Sequence, residues 1–232
     1  MAGLERSKII FKPVLTAINQ AHPDRLSALA AAYKAVADKL PPAEAHASEA
    51  LRPVLAAITQ TQDPYRVSAL AAAYKVVADK LPPSDASEAL KPVLTAITQT
   101  QGQVQLSALA DAYKAVADKL PASSLRPNAK LLRDARELAR DDETWLKVAT
   151  AELSVLPDLA LDDAERLTAD LLRDPLCIGD GREVVLNAFA RRLDAQPDKK
   201  PDQPWGNDIW EFVAWAKSER GGFDPDRALP LD

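Results

Sequence analysis

Few residues of this sequence have the type and spacing that catalysis or metal binding requires. Its two histidines, His22 and His46, have no further ligand residue at a metal-binding spacing. The single cysteine, Cys177, has no histidine near it in sequence, so a buried structural thiol is a better interpretation than a nucleophile. We therefore expect no metal site, no cofactor and no enzymatic activity.

Acidic pairs and one glycine motif are the remaining candidates for chemistry. Asp141-Asp142-Glu143 and Asp162-Asp163 are explained by the negative charges that helix starts favour, without catalysis. The motif GDG at 179–181 lacks the Lys-Ser/Thr of a phosphate-binding loop and does not follow a strand. An enzyme with an acidic site in the second half of the chain stays a less favoured alternative.

Aromatic residues are the better candidates, because they dominate the energetics of protein interfaces. Three tyrosines recur at one place in three similar strings, where they form either a core stripe or a ladder of hydroxyls along a concave groove. Near the end of the chain, Trp205, Trp210, Phe212 and Trp215 form a cluster in which the last two could stay exposed. The predicted partner-binding residues are Tyr33, Tyr74, Tyr113, Phe212 and Trp215.

The three tyrosines lie in a sequence string that occurs three times, so the fold of that string determines their positions. LSALAAAYKAVADKLPP (26–42) returns as VSALAAAYKVVADKLPP (67–83) and as LSALADAYKAVADKLPA (106–122). The spacing of about 40 residues is typical of HEAT and armadillo units, whereas tetratricopeptide and ankyrin units are shorter. A helical hairpin cannot cover its own apolar face, so stacking identical hairpins explains why the string is repeated.

Each repeat is predicted to form two helices. In the second helix, larger apolar residues follow steps of 3, 4, 3 and 4, which places them on one face: Leu26, Leu29, Tyr33, Val36 and Leu40. Lys34 and Asp38 can pair on the exposed face. The proline after each string ends the helix, because it forces the preceding residue out of the helical conformation.

The first helix of each repeat has an ambiguous start. It either begins at Pro53 and Pro92, which suits the first helical position, or is longer and kinked there. We expect the longer helix, opened by Pro42 or Pro83. The polar stretch TQTQDPY (59–65) is predicted to be the loop between the two helices.

Residues 123–232 lose the repeat but keep helical patterns. Helices are expected over 128–140, 143–155 and 207–219, with two more starting at Asp162 or Asp163 and at Asp180, where Glu183 completes a capping box. We interpret this half as a degenerate helical cap, continuous with the three repeats of residues 1–122. A terminal unit needs a polar outer side.

Composition narrows the class of protein. The sequence is 47% hydrophobic but only 5% aromatic, which favours helices over sheets. Residues 1–122 carry 13 Lys/Arg against 11 Asp/Glu and residues 123–232 carry 16 against 23, so neither half has the basic stripe of a nucleic-acid-binding protein. One cysteine, the absence of a signal-like N-terminus and the absence of a long apolar stretch favour a soluble cytoplasmic protein.

The repeat resembles those of bacterial HEAT/armadillo-like α-solenoids, which are about forty residues long and rich in Ala, Leu and Pro. The resemblance rests on the sequence ALAAAYKAVADKLPP…SEALRPVLAAITQTQDPY. The segment DPLCIGDGREVVLNAFARRL followed by WEFVAWAKS is similar to those that close such arrays. The resemblance implies an array joined to, or regulating, an ATPase, kinase, protease or other effector in signalling or antiviral defence.

The sequence therefore predicts an all-α fold, a right-handed α-solenoid of stacked hairpins with a helical cap. The predicted function is a non-catalytic scaffold, adaptor or inhibitor that binds another protein along the array. The alternative is a module that self-associates through an uncapped end of the array. Neither a membrane nor a nucleic acid is an expected partner.

Overall fold

The computed structural model describes residues 16–17 and 47–194, and that part of the chain is helical with no strand. The chain divides into two compact units, Met1–Pro121 and Ala122–Asp232, which we call unit 1 and unit 2. The expected all-α class is confirmed for the described residues. Among these residues, no helix has the length and apolar character needed to cross a bilayer.

Unit 1 contains two consecutive repeats of the sequence, each folded as a pair of helices. The pairs are α1 (Ala47–Gln60) with α2 (Pro64–Asp79), and α3 (Pro83–Gln99) with α4 (Gln103–Ala117). Within each pair the two helices pack together, α1 also packs against α3, and α2 also packs against α4. First helices thus contact first helices and second helices contact second helices, as in a two-layer array. In the earliest repeat, Tyr33, Lys34 and Asp38 lie outside the described residues.

The predicted apolar stripe of the second helix forms the core between these layers. In α2 and the turn after it, every stripe position is buried: Val67, Leu70, Tyr74, Val77 and Leu81. The corresponding α4 positions Leu106, Leu109, Tyr113 and Val116 are buried in the same way. The predicted charge pair on the exposed face has its equivalent in α4, where Lys114 pairs with Asp118.

Prolines lie inside the first helices, as the longer-helix alternative predicts. Helix α3 begins at Pro83 and continues through Pro92, and α1 contains Pro53. A proline in a helix interior removes one backbone hydrogen bond. The α1–α2 connection covers only residues 61–63, because Asp63 already caps α2 by accepting hydrogen bonds from the backbone N–H groups of Tyr65 (3.0 Å) and Arg66 (3.4 Å).

Unit 2 is built from shorter helices around a separate core. They are α5 (Ala122–Leu125), a 3-10 helix (Arg126–Asn128), α6 (Ala129–Arg136), α7 (Asp142–Glu152), a second 3-10 helix (Leu153–Asp158), α8 (Leu161–Arg173) and α9 (Asp180–Asp194). Helix α6 packs on α7, α8 packs on α9, and α9 also packs on α7. Trp145 of α7 and Phe189 of α9 are the largest side chains fully buried in this core.

The helix starts of unit 2 match the sequence predictions only in part. Asp141 caps α7 through the backbone N–H of Thr144 (2.7 Å), so the acidic run there is a helix-start feature, as expected. The predicted cap of α8 is wrong: the cap position is Ala160, and Asp163 instead pairs with Arg166 at 3.5 Å.

The predicted capping box at α9 is also wrong, because Asp180 is already the first residue of the helix. Gly179 precedes it with φ +48°, a left-handed conformation that side chains disfavour. At Gly181, a Cβ atom would lie 3.1 Å from Cζ3 of Trp145. The two glycines of the GDG motif therefore turn the chain and let α9 approach α7 closely.

Candidate functional site

Two of the five predicted partner-binding residues lie in the described part of the chain, and both are core residues. Tyr74 and Tyr113 have no exposed surface. Burial raises the pKa of the Tyr74 phenol well above its usual value. These two side chains therefore lie in the core stripe and do not form a ladder of hydroxyls along an open groove. Tyr33, Phe212 and Trp215 lie outside the described residues, and partner binding by them stays a prediction.

The two described repeats share an exposed surface, which we call the loop edge. It comprises residues 60–65 and 99–104. Each segment is a polar loop followed by the first turn of a second helix, α2 or α4. Its exposed side chains are Gln60, Gln62, Pro64, Tyr65, Gln99, Gln101 and Val104. Asp63 is the one Asp, Glu, Lys, Arg or His residue in the two segments, and it is engaged in capping α2.

Two hydrogen bonds between repeats, one at each end of the helices, fix the register of α2 and α4. At one end, Gln105 of α4 donates its Nε2 to the Thr61 carbonyl oxygen in the preceding repeat, at 2.7 Å. At the other end, Lys119 donates its Nζ to the carbonyl oxygen of Asp79, at 3.1 Å. Because one bond joins the two helix starts and the other the two helix ends, α2 and α4 lie side by side and point the same way.

This register places two exposed apolar side chains at equivalent positions. Tyr65 and Val104 are the second residues of α2 and α4, with 69% and 37% of their surfaces exposed. Neither residue was predicted from the sequence, because both lie just before the strings that are repeated three times. The available signal was an apolar residue at a position where the first repeat has a charged one, Asp24.

The two described repeats start their second helices differently. In α2, Asp63 is the cap and also forms an ion pair with Arg66 at 3.3 Å. In α4 the cap is Gly102, without a side-chain hydrogen bond, and the residue equivalent to Arg66 is the buried Gln105. A Cβ atom on Gly102 would lie 2.0 Å from Oε1 of Gln105. The glycine therefore leaves the space that Gln105 needs to reach Thr61.

Unit 2 contains an ionic cluster centred on two buried residues, Arg136 and Glu152. We call it the Arg136 cluster, and its members are Arg133, Arg136, Glu152, Asp170 and Asp174. The Arg136 guanidinium donates Nε to Glu152 Oε2 at 2.9 Å, Nη1 to Asp174 Oδ2 at 2.9 Å and Nη2 to Asp170 Oδ2 at 2.6 Å. Arg133 Nε lies 3.9 Å from Glu152 Oε1 and 3.7 Å from Asp170 Oδ2. One buried arginine thus joins α6, α7, α8 and the turn after α8.

Burial and charge act in opposite directions on the two central groups of the cluster. Burial raises the pKa of the Glu152 carboxyl to about 7, although the charges of Arg136 and Arg133 oppose the rise. For Arg136, burial lowers the pKa, but Glu152 and Asp170 more than offset this and hold it above its ordinary value. Glu152 has no exposed surface. A substrate could not reach its carboxyl, so the arrangement does not resemble an acid–base catalytic site.

The cysteine lies where a structural thiol was expected. Cys177 is fully buried, and burial raises the pKa of its thiol to about 11, which keeps the thiol protonated near neutral pH. Its backbone carbonyl oxygen accepts a hydrogen bond from Arg182 Nε at 3.0 Å. Within residues 16–17 and 47–194, no group of three or more His, Cys, Asp or Glu side chains could hold a metal ion.

Comparison with known proteins identifies no relative. No family model matches the chain, and neither the curated proteins nor the solved structures provide a match.

Proposed function

We propose that this chain is a HEAT/armadillo-like α-solenoid that binds another protein without catalysis, and that the loop edge is its contact surface. The threefold sequence repeat supports the α-solenoid, and the layered packing of α1 to α4 is compatible with it. Following the resemblance to bacterial arrays, we propose that the partner is an effector protein whose activity the chain regulates, in defence or signalling, in the cytoplasm.

The observation that carries the proposal is the exposure of Tyr65 and Val104 at equivalent positions of adjacent helices. Exposed apolar side chains are common singly and need no explanation, but here two recur at one repeat position, at the same end of adjacent helices. The hydrogen bond from Gln105 to Thr61 fixes the spacing between the loops before any partner arrives. A preformed surface loses less conformational entropy on binding.

The chemistry of the loop edge favours a polypeptide over a nucleic acid. It presents four exposed glutamines at positions 60, 62, 99 and 101, together with apolar side chains, and no lysine or arginine. Glutamine amides both donate and accept hydrogen bonds, which matches peptide groups. Phosphate backbones require positive charge that the loop edge lacks.

The test is capture of the partner from the native source with the full chain as bait, followed by measurement of its affinity. The double variant Tyr65→Ser/Val104→Ser removes the apolar part of the loop edge. We expect roughly a tenfold loss of affinity, about 1.4 kcal/mol, because tyrosine is enriched among the residues that carry most of the binding energy of an interface. Both residues are exposed, so the unfolding free energy should stay within about 0.5 kcal/mol of the wild type.

A matched control exists in unit 2. Leu138 and Ile178 are also apolar and exposed, at 50% and 54% of their surfaces. The variant Leu138→Ser/Ile178→Ser should bind the partner as the wild type does. If the control loses the partner while the Tyr65/Val104 variant keeps it, the contact surface has been assigned to the wrong unit. If the chain only captures copies of itself, the self-association alternative replaces the proposal.

A further inference from the structure

We propose that the Arg136 cluster is a proton-binding site, in which Glu152 takes up one proton as the solution is acidified and thereby stabilises unit 2. This inference does not depend on the proposed function. It starts from the charges of the five side chains. Three carboxylates, on Glu152, Asp170 and Asp174, face two guanidinium groups, on Arg133 and Arg136. With all five ionised, the cluster carries one uncompensated negative charge.

The geometry assigns that excess charge to Glu152. Asp170 keeps 47% of its side-chain surface exposed and Asp174 keeps 20%, so water stabilises their charges, whereas Glu152 has none exposed. An uncompensated charge in a protein interior is costly, and protonation is the usual way to remove it. The least exposed carboxylate of the cluster is therefore the one expected to bind the proton.

The two oxygens of Glu152 have different surroundings. Oε2 accepts the hydrogen bond from Arg136 Nε at 2.9 Å. Among the described residues Oε1 is buried without a hydrogen-bond partner, and Arg133 Nε lies 3.9 Å from it. A proton on Oε1 leaves Oε2 free to go on accepting from Arg136. Proton uptake then neutralises the cluster without breaking any of the hydrogen bonds that Arg136 makes.

Three elements supply the charged groups around Glu152. Helix α6 contributes Arg133 and Arg136, α8 contributes Asp170, and the turn after α8 contributes Asp174 through its bond to Arg136. In the described part of the chain, α9 and the 3-10 helix Leu153–Asp158 bring no cation within ion-pair distance of Glu152. Burial, which raises the pKa of Glu152 to about 7 against the effect of Arg136 and Arg133, agrees with this assignment.

The sign of the effect on stability follows from linkage. The unfolded chain releases the Glu152 proton near pH 4.5, and the folded chain holds it until about pH 7. Between these values the folded state binds more protons than the unfolded state, so the stability that Glu152 contributes falls as pH rises. It is fully present below about pH 4.5 and is lost as the solution passes through about pH 7.

The direct experiment follows the ¹³C resonance of the Glu152 side-chain carboxyl in the full-length chain as pH is varied, assigned by its loss in Glu152→Gln. We expect a titration midpoint near 7, more than two pH units above that of an exposed glutamate. A midpoint at or below about 4.5 overturns the proposal, because Glu152 would then be ionised throughout the neutral range.

Urea unfolding of the same variant provides a second readout. Glu152→Gln imitates the protonated form, so its unfolding midpoint should lie close to that of the wild type at about pH 4 and exceed it at about pH 8. The control is Glu137→Gln, which changes an exposed glutamate at the end of α6 and should leave the pH dependence unaltered. A pH dependence of the unfolding midpoint that is the same in Glu152→Gln as in the wild type overturns the proposal.

Discussion

At the scale of single residues, the ring and the hydroxyl of a repeated tyrosine have opposite effects on stability. Tyr74 and Tyr113 occupy the same place in successive second helices and are both fully buried. Among the described residues, the hydroxyl of Tyr74 has no hydrogen-bond partner. A buried hydroxyl without a partner costs about 1–3 kcal/mol, because it loses its hydrogen bonds to water. The apolar ring of Tyr74 therefore stabilises unit 1, and its hydroxyl opposes that stabilisation.

The substitution Tyr74→Phe separates these two contributions. We expect it to raise the unfolding free energy by up to about 1 kcal/mol, since it removes the buried hydroxyl and keeps the ring. Tyr74→Ala, which removes both, should lower the unfolding free energy by about 3–5 kcal/mol. Urea unfolding measures both changes. A loss of more than about 1 kcal/mol in Tyr74→Phe would mean that the hydroxyl is bonded in solution.

The sequence predicted residue positions well where local periodicity determines them. The stripe through Tyr74 and its equivalents is buried, as steps of three and four require. The Arg136 cluster was beyond such reasoning. Arg136 bonds to residues 16, 34 and 38 positions further along the chain, and no short-range pattern marks those partners. Only the tertiary fold brings together these charges, which come from α6, α7, α8 and the turn after α8.

At the scale of the helices, the repeats use two alternative starts for the second helix. One pairs a capping aspartate with an arginine, Asp63 with Arg66. The other pairs a glycine with a glutamine, Gly102 with Gln105, and exchanges the cap for a hydrogen bond to the preceding repeat. The predicted helix ends were reliable where a proline fixed them. The aspartate caps of α8 and α9 failed, because an aspartate close to a helix start can also lie within its first turn.

This difference predicts that a helix start cannot combine the capping aspartate of one type with the glutamine of the other. Aspartate is normally a better cap than glycine by a few tenths of a kcal/mol. Gly102→Asp should nevertheless destabilise the chain by about 1 kcal/mol, because displacing Gln105 leaves the Thr61 carbonyl oxygen without its partner. Gln105→Arg alone also loses that bond.

The double variant Gly102→Asp/Gln105→Arg copies the start of α2. We expect it to be more stable than the sum of the single changes by about 1 kcal/mol, since residues in contact are not additive. Urea unfolding of the four proteins in the cycle measures this coupling. Strictly additive losses, or a stability gain from Gly102→Asp alone, would contradict the idea that cap and inter-repeat bond exclude each other.

At the scale of the whole molecule, the repeats of unit 1 stabilise one another through contacts between neighbours. Helix α2 packs on α1 within its own repeat and on α4 of the next repeat. In such an array, stability is close to a sum of repeat terms and interface terms between adjacent repeats. A defect in the core of one helix should therefore spread to the helices that it covers.

Leu70→Ala tests this coupling in the full-length chain. Leu70 is fully buried in α2, and its truncation should cost about 2–5 kcal/mol. Hydrogen exchange followed by mass spectrometry should show faster amide exchange in α1 and α4 as well as in α2, because both neighbours lose a packing surface. Ser68→Ala, an exposed change on the same helix, is the control and should leave exchange unaltered. Acceleration confined to α2 would mean that adjacent repeats do not share their stability, and the array interpretation of unit 1 would then be wrong.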